Sequence, residues 1–252
     1  MGLARIDVQG NHWVSSDEVR RVLALAPGTN LVALSTDDLV ARLRSLPAVA
    51  DARVGVELPD RLRVEIVERQ AILAWEVGGE TFAVDPDGLL FASLPDGPAV
   101  PGDGVGSSAA SSDAGPSSAA PTDLPVVVDQ RERSRLLTVG GRLDPVDLDV
   151  AARLASLRPA DVGSTAPRLR LLVDDADGFV LAPDPPGWVA VFGFYGATVR
   201  PPDLIPGQVR LLRSLLLGRE ARIGRVVLAS ATEGTYLPRT ATPSPSPAPR
   251  SP

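Results

Sequence analysis

The chain has 252 residues, and its 25 basic residues, all arginine, stand against 31 acidic ones, so its net charge of −6 argues against nucleic acid or an anionic membrane surface as the main ligand. It holds no cysteine and one histidine, His12, which excludes thiolate nucleophiles, disulfides and zinc–thiolate sites and removes the usual donor of triads and metal centres. No apolar run approaches the roughly 18–20 residues that a membrane-spanning helix needs, and the 23 glycines and 25 prolines forecast long loops.

Residues 5–9 alternate polar and apolar, as a half-buried strand does, and Gly10-Asn11 ends it as a turn. Ser15 and Glu18 form an S-x-x-E capping box. Val19, Val22, Leu23 and Ala26 then give one apolar helical face, which Pro27-Gly28 stops. Ser35 and Asp38 repeat the capping pattern before Leu39, Leu43 and Leu46, and Pro47 ends this second helix. Val54, Val56 and Leu58 read as a strand, Pro59-Asp60 as a turn, and Leu62, Val64 and Ile66 as the returning strand, with Arg61, Arg63 and Glu65 on its other face. Two helices cover only one face of so small a sheet, so the other face meets water or a partner. The first seventy residues thus specify a β-α-α-β-β unit.

After Glu68-Arg69-Gln70 the pattern becomes a meander. Strands at 72–77 and 81–84 flank the hairpin signal Gly78-Gly79, and Asp85-Pro86-Asp87-Gly88 turns the chain into Leu89-Leu90-Phe91. Residues 95–123 are mostly Gly, Ser, Ala, Pro and Asp with scarcely any large apolar residue, too little apolar surface to offset their ordering entropy, which predicts a disordered insertion. Further strands are expected at 124–128, 169–173, 178–181 and 188–194, helices at 147–157 and 206–217, and a last strand at 223–229. A proline-rich tail, 238–252, should be extended and solvated. The fold class is α+β. Its domains are 1–70, then 71–94 with 124–237, the second a mixed, mostly antiparallel β domain with flanking helices.

The first unit resembles a POTRA domain of the FtsQ/DivIB cell-division family. Val8-Gln9-Gly10-Asn11, Ser15 to Arg20, Gly28-Thr29-Asn30-Leu31, Leu43 to Val49, Ala52-Arg53-Val54, Leu58-Pro59-Asp60 and Val67-Glu68-Arg69-Gln70 carry the likeness. Ala74-Trp75, the Val84 to Phe91 phrase, Gly187-Trp188 through Gly193 and Gln208 to Leu217 extend it into the family's β domain. The resemblance implies a membrane-anchored, extracytoplasmic divisome scaffold that binds the bitopic proteins FtsB and FtsL and regulates septal peptidoglycan synthesis. It places the partner on the last strands of the β domain by strand addition. The candidate positions are Arg225, Val226, Val227, Leu228, Ala229 and Ser230, with Gly234 and Tyr236 just beyond. It also implies an apolar span of about 20 residues encoded upstream of Met1. The alternative is a POTRA-containing receptor or chaperone for polypeptide transport or outer-membrane protein assembly, which expects tandem POTRA units and a barrel. A cell-wall enzyme is a third class, expecting a nucleophile with its base or paired acids in a cleft.

Other residues have plainer readings. Glu68-Arg69-Gln70 at a domain junction should make the ion pairs and hydrogen bonds that orient one domain on the next. Asp85 and Asp87 fit turn chemistry better than a catalytic pair. Asp174, Asp175 and Asp177 lack the closing glutamate of a calcium loop and read as a hairpin turn. His12 belongs to a surface loop, and Trp188, Phe192 and Phe194 alternate as sheet core. No catalytic residue, metal site or cofactor is expected.

Overall fold

The computed structural model describes residues 2–94, 124–196, 198 and 200–239. The expected disordered insertion lies outside the described residues, as does the expected tail from 240 onward. Contacts divide the chain into two compact units: Met1–Val126 with Ser134–Pro145, and Val127–Arg133 with Val146–Pro252. The first unit therefore extends past residue 70 and takes in the meander.

In the first unit, β1 (Arg5–Gln9), α1 (Ser16–Leu23), α2 (Thr36–Arg44), β2 (Val49–Glu57) and β3 (Arg61–Glu68) follow the expected order. The sheet order is β1-β3-β2, with β1 parallel and β2 antiparallel to β3. Both helices start on their serines: Ser15 accepts from the Glu18 N–H at 3.1 Å and Ser35 from that of Asp38 at 3.4 Å. Helix α1 ends at Leu23, short of Pro27, because Ala24 turns left-handed at φ 53° and closes its N–H on Arg20. Gly10 sits at φ 81°, and a Cβ there would overlap the Ile66 carbonyl oxygen, so only glycine lets β1 leave the sheet at this point. Val19, Leu23, Leu39 and Leu43 bury the apolar stripes of both helices on Leu62, Val64 and Ile66. On the open face, Arg61 pairs with Asp7 and Glu57, and Arg63 with Glu57 and Glu65.

Even-numbered residues of β3 aim their backbone groups at β1, as the Ile66 carbonyl beside Gly10 marks, so Ala52, Val54 and Val56 of β2 aim theirs outward. The outward N–H of Ala52 is taken by the carboxylate of Asp51 at 2.8 Å, which Arg44 holds in turn at 2.5 Å. The Arg44 hydrogen bond, then that of Ala52, keeps this carboxyl below the usual aspartate value.

The meander consists of β4 (Leu73–Val77), β5 (Glu80–Val84) and β6 (Leu90–Leu94), in that order and antiparallel. Glu68 and Arg69 tie it to the first sheet. The Glu68 carboxylate accepts the N–H groups of His12, Trp13 and Val14 at 2.7–2.9 Å, and Trp13 packs edge-on against Phe91 of β6. Arg69 donates to the Pro47 carbonyl at 3.0 Å and to Asp85 at 2.6 Å.

In the second unit, β7 (Val126–Asp129), α3 (Pro145–Ala155), β8 (Arg168–Asp174), β9 (Gly178–Asp184), β10 (Val189–Gly193), α4 (Ile205–Leu216), β11 (Ile223–Leu228) and β12 (Gly234–Pro238) give the strand order β12-β11-β10-β9-β8-β7. The pairs β7–β8 and β10–β11 are parallel and the others antiparallel, the mixed pattern expected. The expected final strand is not the last, since β12 follows it. Pro238 lies within β12, and the Arg239 N–H still bonds Arg222 at 2.8 Å, so the solvated tail does not begin at 238. Phe194 also departs from expectation. The β9–β10 register shifts at Gly193, the strand ends there, and Phe194 is 54 % exposed while Trp188 and Phe192 are buried.

Candidate partner-binding edge

The residues singled out for partner binding divide between two strands. Arg225, Val226, Val227 and Leu228 lie in β11, which is paired on both sides: Val189–Val191 of β10 run parallel to Arg225–Val227, and β12 returns antiparallel from Gly234 to Pro238. Its backbone has no room for another strand along that length. Val226 and Leu228 are core, at 0 and 1 % exposure, and Arg225 is held by Asp177 at 2.5 Å. Val227 is 41 % exposed. Ala229 and Ser230 form the turn: the Ala229 N–H meets the Glu233 carbonyl at 2.9 Å, and the Ser230 hydroxyl accepts from Thr232 and Glu233. Only Gly234 and Tyr236 of the set lie on β12, the edge strand.

The register fixes which groups of β12 face outward. With Ala229 bonded to Glu233 at one end and Arg239 bonded to Arg222 at the other, residues 233, 235, 237 and 239 direct their backbone toward β11. Gly234, Tyr236 and Pro238 direct theirs away from it. Among the described residues no strand pairs with that side. The edge thus offers the N–H and C=O of Gly234 and Tyr236 and the C=O of Pro238, with Tyr236 at 51 % and Leu237 at 58 % exposure beside them.

Helix α4 supports this hairpin from one face. A Cβ on Gly207 would collide with Ala231 of the turn, and one on Gly234 would come within 3.3 Å of Leu211. Past Val191 and Val227 the two parallel strands part, and side chains take the place of the ladder. The Leu228 carbonyl accepts from Gln208 at 3.1 Å and from Arg200, and Tyr195 donates to Gln208 at 2.7 Å while Arg200 lies over its ring. Burial, more than Arg200 or Gln208 can offset, pushes the Tyr195 hydroxyl well above its ordinary range. The other end of β11 is tied by Glu220, which accepts from Ser164, from the Thr165 amide and hydroxyl, and from the Trp188 indole at 2.7 Å. Burial raises its pKa, but these hydrogen bonds outweigh that and hold it at about 2.

The remaining polar clusters are structural. Asp85 accepts Arg69 and the amides of Asp87 and Leu89, and Asp174 caps the amides of Ala176 and Asp177, so both read as turns. Arg131 is buried between Asp129 and Asp147. Burial lowers its pKa and the two carboxylates raise it further, so it is held charged. A cleft of about 250 Å³ opens beside it, rimmed by Arg133, Asp175, Phe179 and Phe194. Among the described residues no three His, Asp or Glu side chains converge to hold a metal ion. Sequence reasoning missed β12 itself, with Thr235 and Leu237. The signal was present in Thr235-Tyr236-Leu237, three strand formers after a serine-capped turn.

Residues 1–69 match the family described as "POTRA domain, FtsQ-type". Several proteins named "Cell division protein FtsQ" are similar to the chain. That of Mycobacteroides abscessus is 37 % identical over 101 residues, 40 % of this chain and 33 % of that protein. That of Streptomyces bingchenggensis is 34 % identical over 95 residues, 37 % of this chain and 36 % of its own length. That of Chloroflexus aurantiacus is 27 % identical over 234 residues, 92 % of this chain and 68 % of its own. The chain thus spans about a third of the mycobacterial and streptomycete relatives and about two thirds of the chloroflexal one.

Proposed function

We propose that the chain is a member of the FtsQ family of cell division proteins and a non-enzymatic divisome scaffold whose second unit takes a strand from a partner at the outer edge of β12. The partners are FtsB/FtsL-like bitopic division proteins, and holding them at the septum regulates septal peptidoglycan synthesis. The position is extracytoplasmic, beside the single membrane-spanning helix that the family resemblance implies; among the described residues no helix is long and apolar enough to cross a membrane.

One observation carries this reading: a paired, helix-backed hairpin ends in an edge whose outward N–H and C=O groups have no strand opposite them among the described residues. A partner strand gains a ladder there at no cost to the existing sheet. The site therefore moves from the Arg225–Ser230 stretch to Gly234–Pro238, with β11 as its support.

The test is capture of the soluble region of an FtsB-like protein from the same organism. Tyr236→Pro removes an outward donor without touching the β11 ladder, so the variant should stay folded and lose capture. Arg53→Glu, in the first unit, should leave capture intact. Full capture by a folded Tyr236→Pro protein would remove β12 as the site.

A further inference from the structure

The cleft of about 250 Å³ beside Arg131 lies where the ends of β8 and β10 meet the start of β9, and its lining belongs wholly to the second unit. Local backbone opens it. Gly193 leaves the β9–β10 ladder at φ 89°, and a Cβ on Gly178 opposite would collide with its carbonyl, so two glycines let the strands close here and the chain turn away. That turn brings Phe194 to the surface at 54 % exposure, while Val173 and Phe179 in the same lining stay buried. Phe179 meets Tyr195 edge-on with 6.1 Å between ring centroids, so one wall of the cleft is aromatic.

The charges around it are not equally engaged. Arg131 commits its Nε and both Nη groups to Asp129 and Asp147, and Arg133 also turns to Asp147, at 2.9 Å. Two cations and two carboxylates thus cancel. Asp175 is exposed and takes the Glu132 amide at 2.8 Å, and among the described residues no cation pairs with it. Its neighbours in the turn are occupied, Asp174 by the amides of Ala176 and Asp177, and Asp177 by Arg225. Arg200 lies over the Tyr195 ring and bonds the Leu228 carbonyl, outside the lining. The cleft is therefore an aromatic hollow with one uncancelled negative charge at its rim.

We infer that this cleft is a second interaction site, holding the side chain of one arginine presented by an exposed segment of a partner protein. Its volume falls below the roughly 300 Å³ at which pockets for whole small molecules begin, and suits one long side chain. An anionic group would meet Asp147 and Asp175 with Arg131 and Arg133 already paired. A planar guanidinium stacks on Phe194 and forks onto Asp175, whereas the ammonium of lysine is more strongly hydrated and makes no fork. No residue of β12 takes part, so the site stands or falls apart from strand addition.

A random 12-residue peptide display library, selected on the full chain and followed by binding measurements on single peptides, tests this. The expected peptides share one arginine among apolar residues, and replacing it by citrulline, its neutral isostere, weakens them about tenfold. Asp175→Asn keeps an oxygen for the Glu132 amide but removes the charge. It should weaken them by the same factor, and combined with citrulline it should cost no more than either change alone. Phe194→Ala, at an exposed position, should weaken them too, and Tyr236→Pro should leave them unchanged. Protected amides at Val173 and Phe179 show that a variant keeps its fold; where one does not, the citrulline comparison on the parent chain decides. Peptides indifferent to citrulline, Asp175 and Phe194 overturn the inference, as does a selection that yields only peptides lost with Tyr236→Pro or none at all. Arginine amide binding as tightly as the peptides would make the cleft a pocket for small cations and overturn the partner segment. Enrichment seen only after residues 240–252 are removed would give the cleft to this chain's own Arg250, and overturn it as well.

Discussion

Single side chains hold this protein at points where elements meet. Asp85 is 2 % exposed and answers three donors, so Asp85→Ala leaves Arg69 and two turn amides unsatisfied. A loss of about 3 kcal/mol is expected in urea unfolding. Glu220 makes a statement about pH. Its folded pKa of about 2 lies below the ordinary 4.5, so its contribution is complete above the ordinary value and disappears as pH falls toward 2. Glu220→Gln should cost about 2 kcal/mol at pH 7, after allowance for solvent screening, and flatten the acid limb of the stability curve. An unchanged limb would mean other carboxylates dominate it. Ala24 is a third case: its left-handed φ of 53° suits glycine, and Ala24→Gly should raise stability by about 0.5 kcal/mol or leave it level, where most exposed helical positions would lose stability.

At the scale of elements, the two faces of one strand give opposite outcomes for the same substitution. Thr235→Pro deletes an N–H that bonds β11 and should unravel the hairpin, read as fast amide exchange at Val227 and Leu237. Tyr236→Pro should leave those amides protected. Most elements could be read from the chain because their signals are local: serine caps, an i, i+3, i+4 stripe, alternation over five or more residues. What could not be read was pairing. Nothing in Arg225–Leu228 says whether the strand is an edge or has a neighbour, because that depends on where residues ten positions later return. The end of β10 at Gly193 was hidden for a similar reason. Its cause is a register shift against Gly178, a partner fifteen residues earlier, and it is what releases Phe194 from the core.

At the scale of the whole molecule, four of the described ionisable groups serve architecture. Glu68, Asp85, Arg131 and Glu220 each cap backbone or hold two segments together. A chain organised this way should release no soluble fragments from purified cell-wall sacculi; release that survives stringent purification would overturn the scaffold reading. The resemblance to a family was legible because its phrases mark turns and caps, which the sequence carries whole. The proposed partner edge was legible only to within one hairpin, since an edge is a property of the assembled sheet. The boundary between compact units was hidden too, because residues 134–145 return beside the start of β6, with Gly141 accepting from Leu90 at 2.9 Å.

The carboxylate of Asp51 on the Ala52 amide has its effect in concentrated solution. It spoils the first rung that a second molecule would need to zip onto β2, and with Arg44 behind it the plug outlasts mild acid. Colloidal behaviour should therefore hinge on this residue. Asp51→Ala protein is expected to scatter light and form oligomers at millimolar concentration, while the parent chain stays clear until acidification reaches the lowered pKa of that one side chain.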